Sequence, residues 1–289
     1  MRLPGPFEIF RVLEFEWTRR EPGFLLSGIG RHDIRGTTAG RDARFADPET
    51  GLLIMSFHSL VVRTDQGVLL VDTCVGNRKD RPTLPEWHQQ EWPYLDRLAR
   101  VGLTPADIDF VCCTHLHGDH VGWNTRLEQG RWVPTFPKAR YLFSATELAY
   151  WERHHAEDPA SIYRRPWQDS VLPVMEAGQV QRVADDAELL DGIRLRPAPG
   201  HTPGNAVLEL DDGHRRAVMS GDVVHHPVQI ERPDWCSEFD LDQPSARRTR
   251  EDLLARVADT GTVLMGAHFA GPAALRVESA TRGFRYADA

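Results

Sequence analysis

The chain has 289 residues, of which 41% are hydrophobic and 26% charged, ordinary proportions for a globular protein. They exclude a collagen-like repeat, a coiled coil and a disordered tail, and no stretch reaches the ~18 unbroken apolar residues of a membrane span. With 34 basic against 42 acidic residues the net charge is −8, so neither nucleic acid nor a membrane is expected as a partner.

The opening Met1-Arg2-Leu3-Pro4-Gly5-Pro6 carries no apolar run of the kind a secretory leader needs. The cysteines Cys74, Cys112, Cys113 and Cys236 form no CxxC pair and no disulfide framework. Both observations point to a cytoplasmic protein. Residues 1–55 are rich in Gly and Pro and read as an N-terminal arm with one strand at Phe7 to Trp17. Ser59 to Thr64 and Gly67 to Asp72 are β-rich runs joined by the turn residues Asp65-Gln66. From Glu86 to Arg100 the helical spacing of Trp92, Leu95 and Leu98 predicts a helix, and Thr104-Pro105 signals the start of another. Ile108 to Cys113 reads as a buried strand.

Further strands are expected at Arg140 to Phe143, Val180 to Val183, Ile193 to Pro197, Ala206 to Leu210, Ala217 to Ser220 and Val263 to Met265. Helices are expected at Thr146 to His154, with His154 and His155 solvated, and at Ser245 to Ala258. Strands outnumber helices and no composition shift divides the chain. The expectation is a single α/β domain over 1–289, with two packed sheets flanked by helices.

The segment that carries chemistry is Thr114-His115-Leu116-His117-Gly118-Asp119-His120, directly after the apolar strand. His115 and His117 differ by two positions, so extended backbone points both the same way. Gly118 permits a tight turn that brings Asp119 and His120 back toward them. Burying four such groups without partners would cost several kcal/mol, whereas imidazole plus carboxylate suits zinc, iron, manganese or cobalt.

His115-x-His117-x-Asp119-His120 resembles the signature of the metallo-β-lactamase superfamily, whose fold is a four-layer αβ/βα sandwich of two mixed β-sheets. The resemblance continues in the family's order through Pro199-Gly200-His201-Thr202-Pro203-Gly204, Ser220-Gly221-Asp222 and Gly266-Ala267-His268-Phe269, with Leu70-Val71-Asp72-Thr73 upstream. It implies two divalent metal ions, zinc first among the candidates. One would be held by His115, His117 and His201, the other by Asp119, His120 and His268. Asp222 and a water or hydroxide would bridge them. Asp72 would support the ligands from behind, and His58 is a second candidate for that role.

Within the superfamily the chain resembles the quorum-quenching lactonase and methyl-parathion-hydrolase-like branch, in Trp123-Asn124-Thr125-Arg126 and in Asp222-Val223-Val224-His225-His226-Pro227. The resemblance implies a metal-dependent hydrolase that cleaves a small ester, lactone or phosphotriester with the bridging hydroxide. Asp119 would steer the nucleophile and pass a proton to the leaving group. The lactonases place a substrate-contacting tyrosine near the position of His225, which would donate to a substrate oxygen in its stead. Trp123, Trp235 and Phe269 are candidates for an apolar pocket, and the resemblance also suggests a homodimer. An iron dioxygenase using similar ligands is the main rival; a β-lactamase or a nuclease fits less well.

Overall fold

A thirteen-residue strand opens the described chain, which covers residues 7–158 and 160–289 of a computed structural model. The hexapeptide Met1 to Pro6, read above for a leader, lies outside the described residues. The described chain forms two compact units, 7–15 with 57–185 and 16–56 with 186–289. No helix among the described residues is long and apolar enough to cross a membrane.

The first sheet runs in the order β1 (Glu8–Arg20), β2 (Leu53–Thr64), β3 (Gly67–Val71), β4 (Phe110–Cys112), β7 (Arg140–Ser144) and β8 (Val180–Val183). β2 and β3 form the expected hairpin, with Thr64 opposite Gly67, and β3, β4, β7 and β8 then pair in parallel. Such strands are buried on both faces, which is why Val111 and Cys112 sit in an apolar run. A separate hairpin joins β5 (Thr125–Glu128) to β6 (Arg131–Pro134). Leu70, Val111, Tyr141 and Phe143 meet Leu148 and Trp151 of the helix Ala145–Glu157 in one core cluster. Each such side chain stabilises the fold by about 1.5–3 kcal/mol through burial.

The second sheet comprises β9 (Glu188–Leu190), β10 (Ile193–Pro197), β11 (Ala206–Asp211), β12 (Arg216–Met219), β13 (Val263–Met265), β14 (Ala274–Ser279) and β15 (Phe284–Asp288), in the order β15-β14-β13-β12-β11-β10-β9. Its pairs are antiparallel except β12 with β13. Both sheets are thus mixed, as expected. The helix Gln243–Val257 buries Ala246, Arg250, Leu253, Leu254 and Val257, one stripe of its surface. Its start is fixed by Asp242, whose carboxylate accepts from Ser245 N at 3.0 Å.

Several local expectations are corrected. The helix read from Glu86 begins only at Tyr94. Pro93 stands at its N-cap and biases Trp92 away from helical backbone, and turns fill the preceding residues. Thr104-Pro105 starts a single 3-10 turn, Pro105–Asp107, closed by the Asp107 carboxylate on Thr104 N at 2.7 Å. Residues 16–56 are more ordered than an irregular arm. They carry short helices at Pro22–Leu25, Arg31–Arg35 and Thr38–Arg41, the last capped by Glu231 on Thr38 N and Ala39 N at 2.8 and 2.7 Å. His154 and His155 are not solvated but half-buried among Tyr150, Trp151 and Trp167.

Candidate metal centre

In the first unit β4 delivers the chain to His115. His115, His117 and His120 are buried, with ring centroids 4.7 Å apart for the first two and 4.0 Å for His115 and His120. Asp119 is the most open of the four, and its Oδ2 lies 3.9 Å from His120 Nε2. Asp72, just past β3, locks this loop. It accepts from Thr114 N at 2.7 Å and from Thr114 Oγ1 at 3.0 Å, and meets His120 Nδ1 at 2.9 Å. Asp72 does so with a φ of 55°, a left-handed conformation that costs a residue with a Cβ of order 1–3 kcal/mol. The buried Glu147 accepts from Leu116 N at 2.9 Å and from Trp151 Nε1 at 2.7 Å, so the peptide between His115 and His117 is held from the helix Ala145–Glu157.

In the second unit β10, β12 and β13 each end near a predicted ligand. His201 follows β10 through Gly200, where a Cβ would lie 2.2 Å from the Ala246 backbone nitrogen; only glycine lets this loop pack on the helix. Asp222 follows β12, and three imidazoles surround its carboxylate. His201 Nε2 and His225 Nε2 lie 3.3 and 3.2 Å from Oδ2, and His268 Nε2 lies 3.2 Å from Oδ1. His201 Nδ1 is held by Asp240 at 2.9 Å and His268 Nδ1 by the Ser56 carbonyl at 3.1 Å. Asp240 also accepts from Ser237 N at 2.9 Å and lies 3.3 Å from the fully buried Arg250 guanidinium. Burial works against the Asp240 charge, yet the His201 hydrogen bond and the nearby cationic groups hold its pKa below the ordinary carboxylate value.

These donor sets fit metal binding on orientation as well as type. His120, His201 and His268 each have Nδ1 occupied by a carboxylate or a carbonyl. That contact fixes the tautomer in which Nε2 keeps its lone pair for a cation. Imidazoles and carboxylates are the donor types that divalent ions such as zinc accept.

The structure places the other expected residues as follows. Asp72 contacts His120, and His225 lies against Asp222. His225 is buried, and burial lowers its pKa despite Asp222. His226 is buried with it. Its pKa falls to about 4, and its ring is tied to the Phe45 carbonyl at 2.8 Å. His58 is buried in β2. The pocket expectation is corrected for two aromatics. Trp123 stacks on Tyr94 within the core, 5.0 Å between centroids, and donates Nε1 to the buried Glu14 at 2.6 Å. Phe269 is fully buried in the core of the second unit, where its ring fills the space that a Cβ on Gly266 would need. Trp235 is half-buried under the Arg232 guanidinium, 5.2 Å away.

Asp240 and Glu147 escape the sequence reading, and Arg250, expected with Arg247 and Arg248 on a solvated helix face, is instead fully buried. None belongs to a motif: Asp240 holds His201 from 39 residues away, and Glu147 holds Leu116 N from 31. Tyr163 escapes it too. Its ring stacks on His117 at 5.1 Å and 12°. Burial raises its phenol pKa, and the charges of Tyr150 and Asp119 add to the rise. All four cysteines are free.

The family model that matches is the Metallo-beta-lactamase superfamily, over residues 58–268. A probable metallo-hydrolase of Mycobacterium tuberculosis is 27% identical over 186 residues, 58% of this chain and 57% of that protein. An N-acyl homoserine lactonase of Bacillus cereus is 25% identical over 173 residues, 55% and 60% of the two chains. The chain therefore spans less than two thirds of the length of these curated relatives. Among solved structures, AidC, a dizinc quorum-quenching lactonase in complex with a product, aligns with TM-score 0.80 and 20% identity over 99% of this chain and 95% of that one. The hydrolase AbOPH of the beta lactamase superfamily aligns with TM-score 0.80 and 22% identity over the same shares. Both share the fold of this chain.

Proposed function

The chain belongs to the metallo-beta-lactamase superfamily, and from that premise we propose that it is a dinuclear metal-dependent hydrolase of small esters, lactones or phosphotriesters. His115, His117 and His201 hold one cation in this reading, Asp119, His120 and His268 the other, and Asp222 serves both. The observation that carries it is the set of imidazoles fixed at Nδ1, which leaves Nε2 to act as ligand. The lactonase relatives and the product complex of AidC favour an ester-type substrate over a nucleic acid. Zinc is the first candidate metal, and a small neutral molecule is the expected partner.

Two divalent cations in such a site supply Lewis acidity, activating water near neutral pH and polarising the substrate oxygen. The protein's own groups do the rest. Asp72, Asp240 and the Ser56 carbonyl hold three histidine rings in place, so no reorganisation is needed as charge develops. Asp119 is the most exposed carboxylate of the set and can move a proton from Oδ2 to the leaving group. His225, whose Nε2 lies 3.2 Å from Asp222 Oδ2, is the imidazole proposed to donate to a substrate oxygen.

The test is metal content of protein purified without chelator, with an aryl ester, a γ-lactone and an aryl phosphotriester assayed on the same sample. About two metals per chain and turnover of any of the three is the expected result. One iron per chain, oxygen uptake and no hydrolysis would replace this reading with the oxygenase.

A further inference from the structure

We propose that Tyr163 is a substrate-contacting residue whose hydroxyl donates a hydrogen bond to an oxygen of the molecule bound beside His117. The inference rests on the hydrolase reading and adds to it a group that lies outside the motifs. The structure gives the Tyr163 ring clear work. It lies parallel to His117, 5.1 Å between centroids at 12°, and packs against Trp151 at 5.0 Å. A phenylalanine would make the same contacts. The hydroxyl, by contrast, has no hydrogen-bond partner among the described residues. The ring is half-buried, so the phenol is neither sealed in the core nor wholly in bulk water. A phenol is a donor across the neutral range. Set beside a ligand histidine, it can meet an oxygen of a bound ester, lactone, phosphotriester or carboxylate product.

The segment is also built to hold still. Ser161 Oγ joins His154 Nε2 at 2.8 Å and accepts from Tyr163 N at 3.2 Å, which pins the turn that carries the tyrosine. Pro166 lies against Gly118, where an added Cβ would come within 3.0 Å of the proline ring. Three residues on, Asp169 is clamped by the Arg81 guanidinium at 2.7 and 2.9 Å. The tyrosine is therefore fixed over the histidine loop from both sides, as a preorganised contact requires.

The experiment compares wild type with Tyr163→Phe, which keeps the ring and removes only the hydroxyl. Metal content is measured for both. Hexanoate, the product of ester cleavage, is titrated calorimetrically onto the metal-loaded proteins, and kcat/KM is measured for its aryl ester. Unchanged metal content, with about five- to tenfold weaker hexanoate binding and a similar loss in kcat/KM, is the expected result. Equal hexanoate affinity in the two proteins, absence of hexanoate binding by wild type, or loss of metal in the variant would overturn it. If wild type binds hexanoate through Tyr163 yet hydrolyses no ester, lactone or phosphotriester, the hydrolase reading fails and this one stands. If wild type hydrolyses and the variant matches it, the reverse holds.

Discussion

Asp240→Asn is the sharpest probe of how this protein prepares its histidines. The wild-type carboxylate takes His201 Nδ1 on Oδ1 at 2.9 Å, and Ser237 N at 2.9 Å and Arg250 at 3.3 Å on Oδ2. An amide has one oxygen. If that oxygen stays with His201, the new NH2 faces the Ser237 N–H and the Arg250 guanidinium, three donors with no acceptor. If the amide flips, NH2 faces Nδ1 and forces the proton onto Nε2, the nitrogen needed as ligand. The first arrangement costs about 1–3 kcal/mol of folding stability through unmet buried donors. Arg250 softens the loss because its Nε and Nη1 donate to the Val223 and Pro233 carbonyls at 2.7 and 2.8 Å. The second arrangement costs roughly 10- to 100-fold in metal affinity. The amide will settle on whichever penalty is smaller, so one of two readouts must move. Zinc affinity against a competing chelator and the melting temperature of the metal-free protein distinguish them. An Asp240→Asn protein with wild-type affinity and wild-type apo stability would refute the argument that this carboxylate sets the His201 tautomer.

Three further outcomes are expected. Asp72→Asn should lower metal affinity or activity roughly 10- to 100-fold by releasing His120 Nδ1, checked by chelator competition and steady-state kinetics. Gly200→Ala should destabilise by more than about 3 kcal/mol in urea unfolding, because the added Cβ meets the backbone of the helix Gln243–Val257 and the residue has a φ of 133°. The third concerns Lys79, which is fully buried beside Thr125 Oγ1 at 2.7 Å and the Trp132 ring at 3.7 Å, and whose pKa burial lowers to about 7. Below about 7 the lysine is charged in both states. Between 7 and its ordinary 10.5 only the unfolded chain is charged, so its contribution is largest at high pH and is lost as pH falls through that window. The stability of wild type relative to Lys79→Met should rise with pH from 7 toward 9, by roughly 1 kcal/mol per unit; a pH-independent difference would refute it.

Which parts of this protein can be read from its sequence follows from how local each feature is. Strands such as Gly67–Val71 and Val263–Met265 show because their burial is written in consecutive apolar residues. Helical spacing of apolar residues also arises in turns, so spacing alone cannot place the helix start that Pro93 fixes at Tyr94. β15 is hard to read because its alternation, half-buried Phe284 and Tyr286 about an exposed Arg285, is too short a run to stand out. Trp123 and Phe269 look like pocket residues in sequence because an aromatic beside a ligand motif reads the same whether it faces outward or inward. Only the packing against Tyr94 and Gly266 distinguishes the two.

The same contrast runs through the candidate site. His115, His117, Asp119 and His120 can be found because they sit on one turn and must differ in spacing by what that turn allows. Their orientation is settled elsewhere. Asp72 lies 48 residues from His120, Asp240 lies 39 from His201, and the Ser56 carbonyl lies 212 from His268. A backbone carbonyl leaves no trace in sequence at all, since any residue at 56 would supply it. An aspartate in Phe239-Asp240-Leu241-Asp242 cannot be told from its neighbour Asp242, which caps a helix instead. Ligand identity is thus a local property and ligand geometry a tertiary one. In the proposed centre, a variant that preserves every candidate ligand is still expected to lose metal affinity when Asp240 or Asp72 changes, because the imidazole remains present but turns the wrong nitrogen inward.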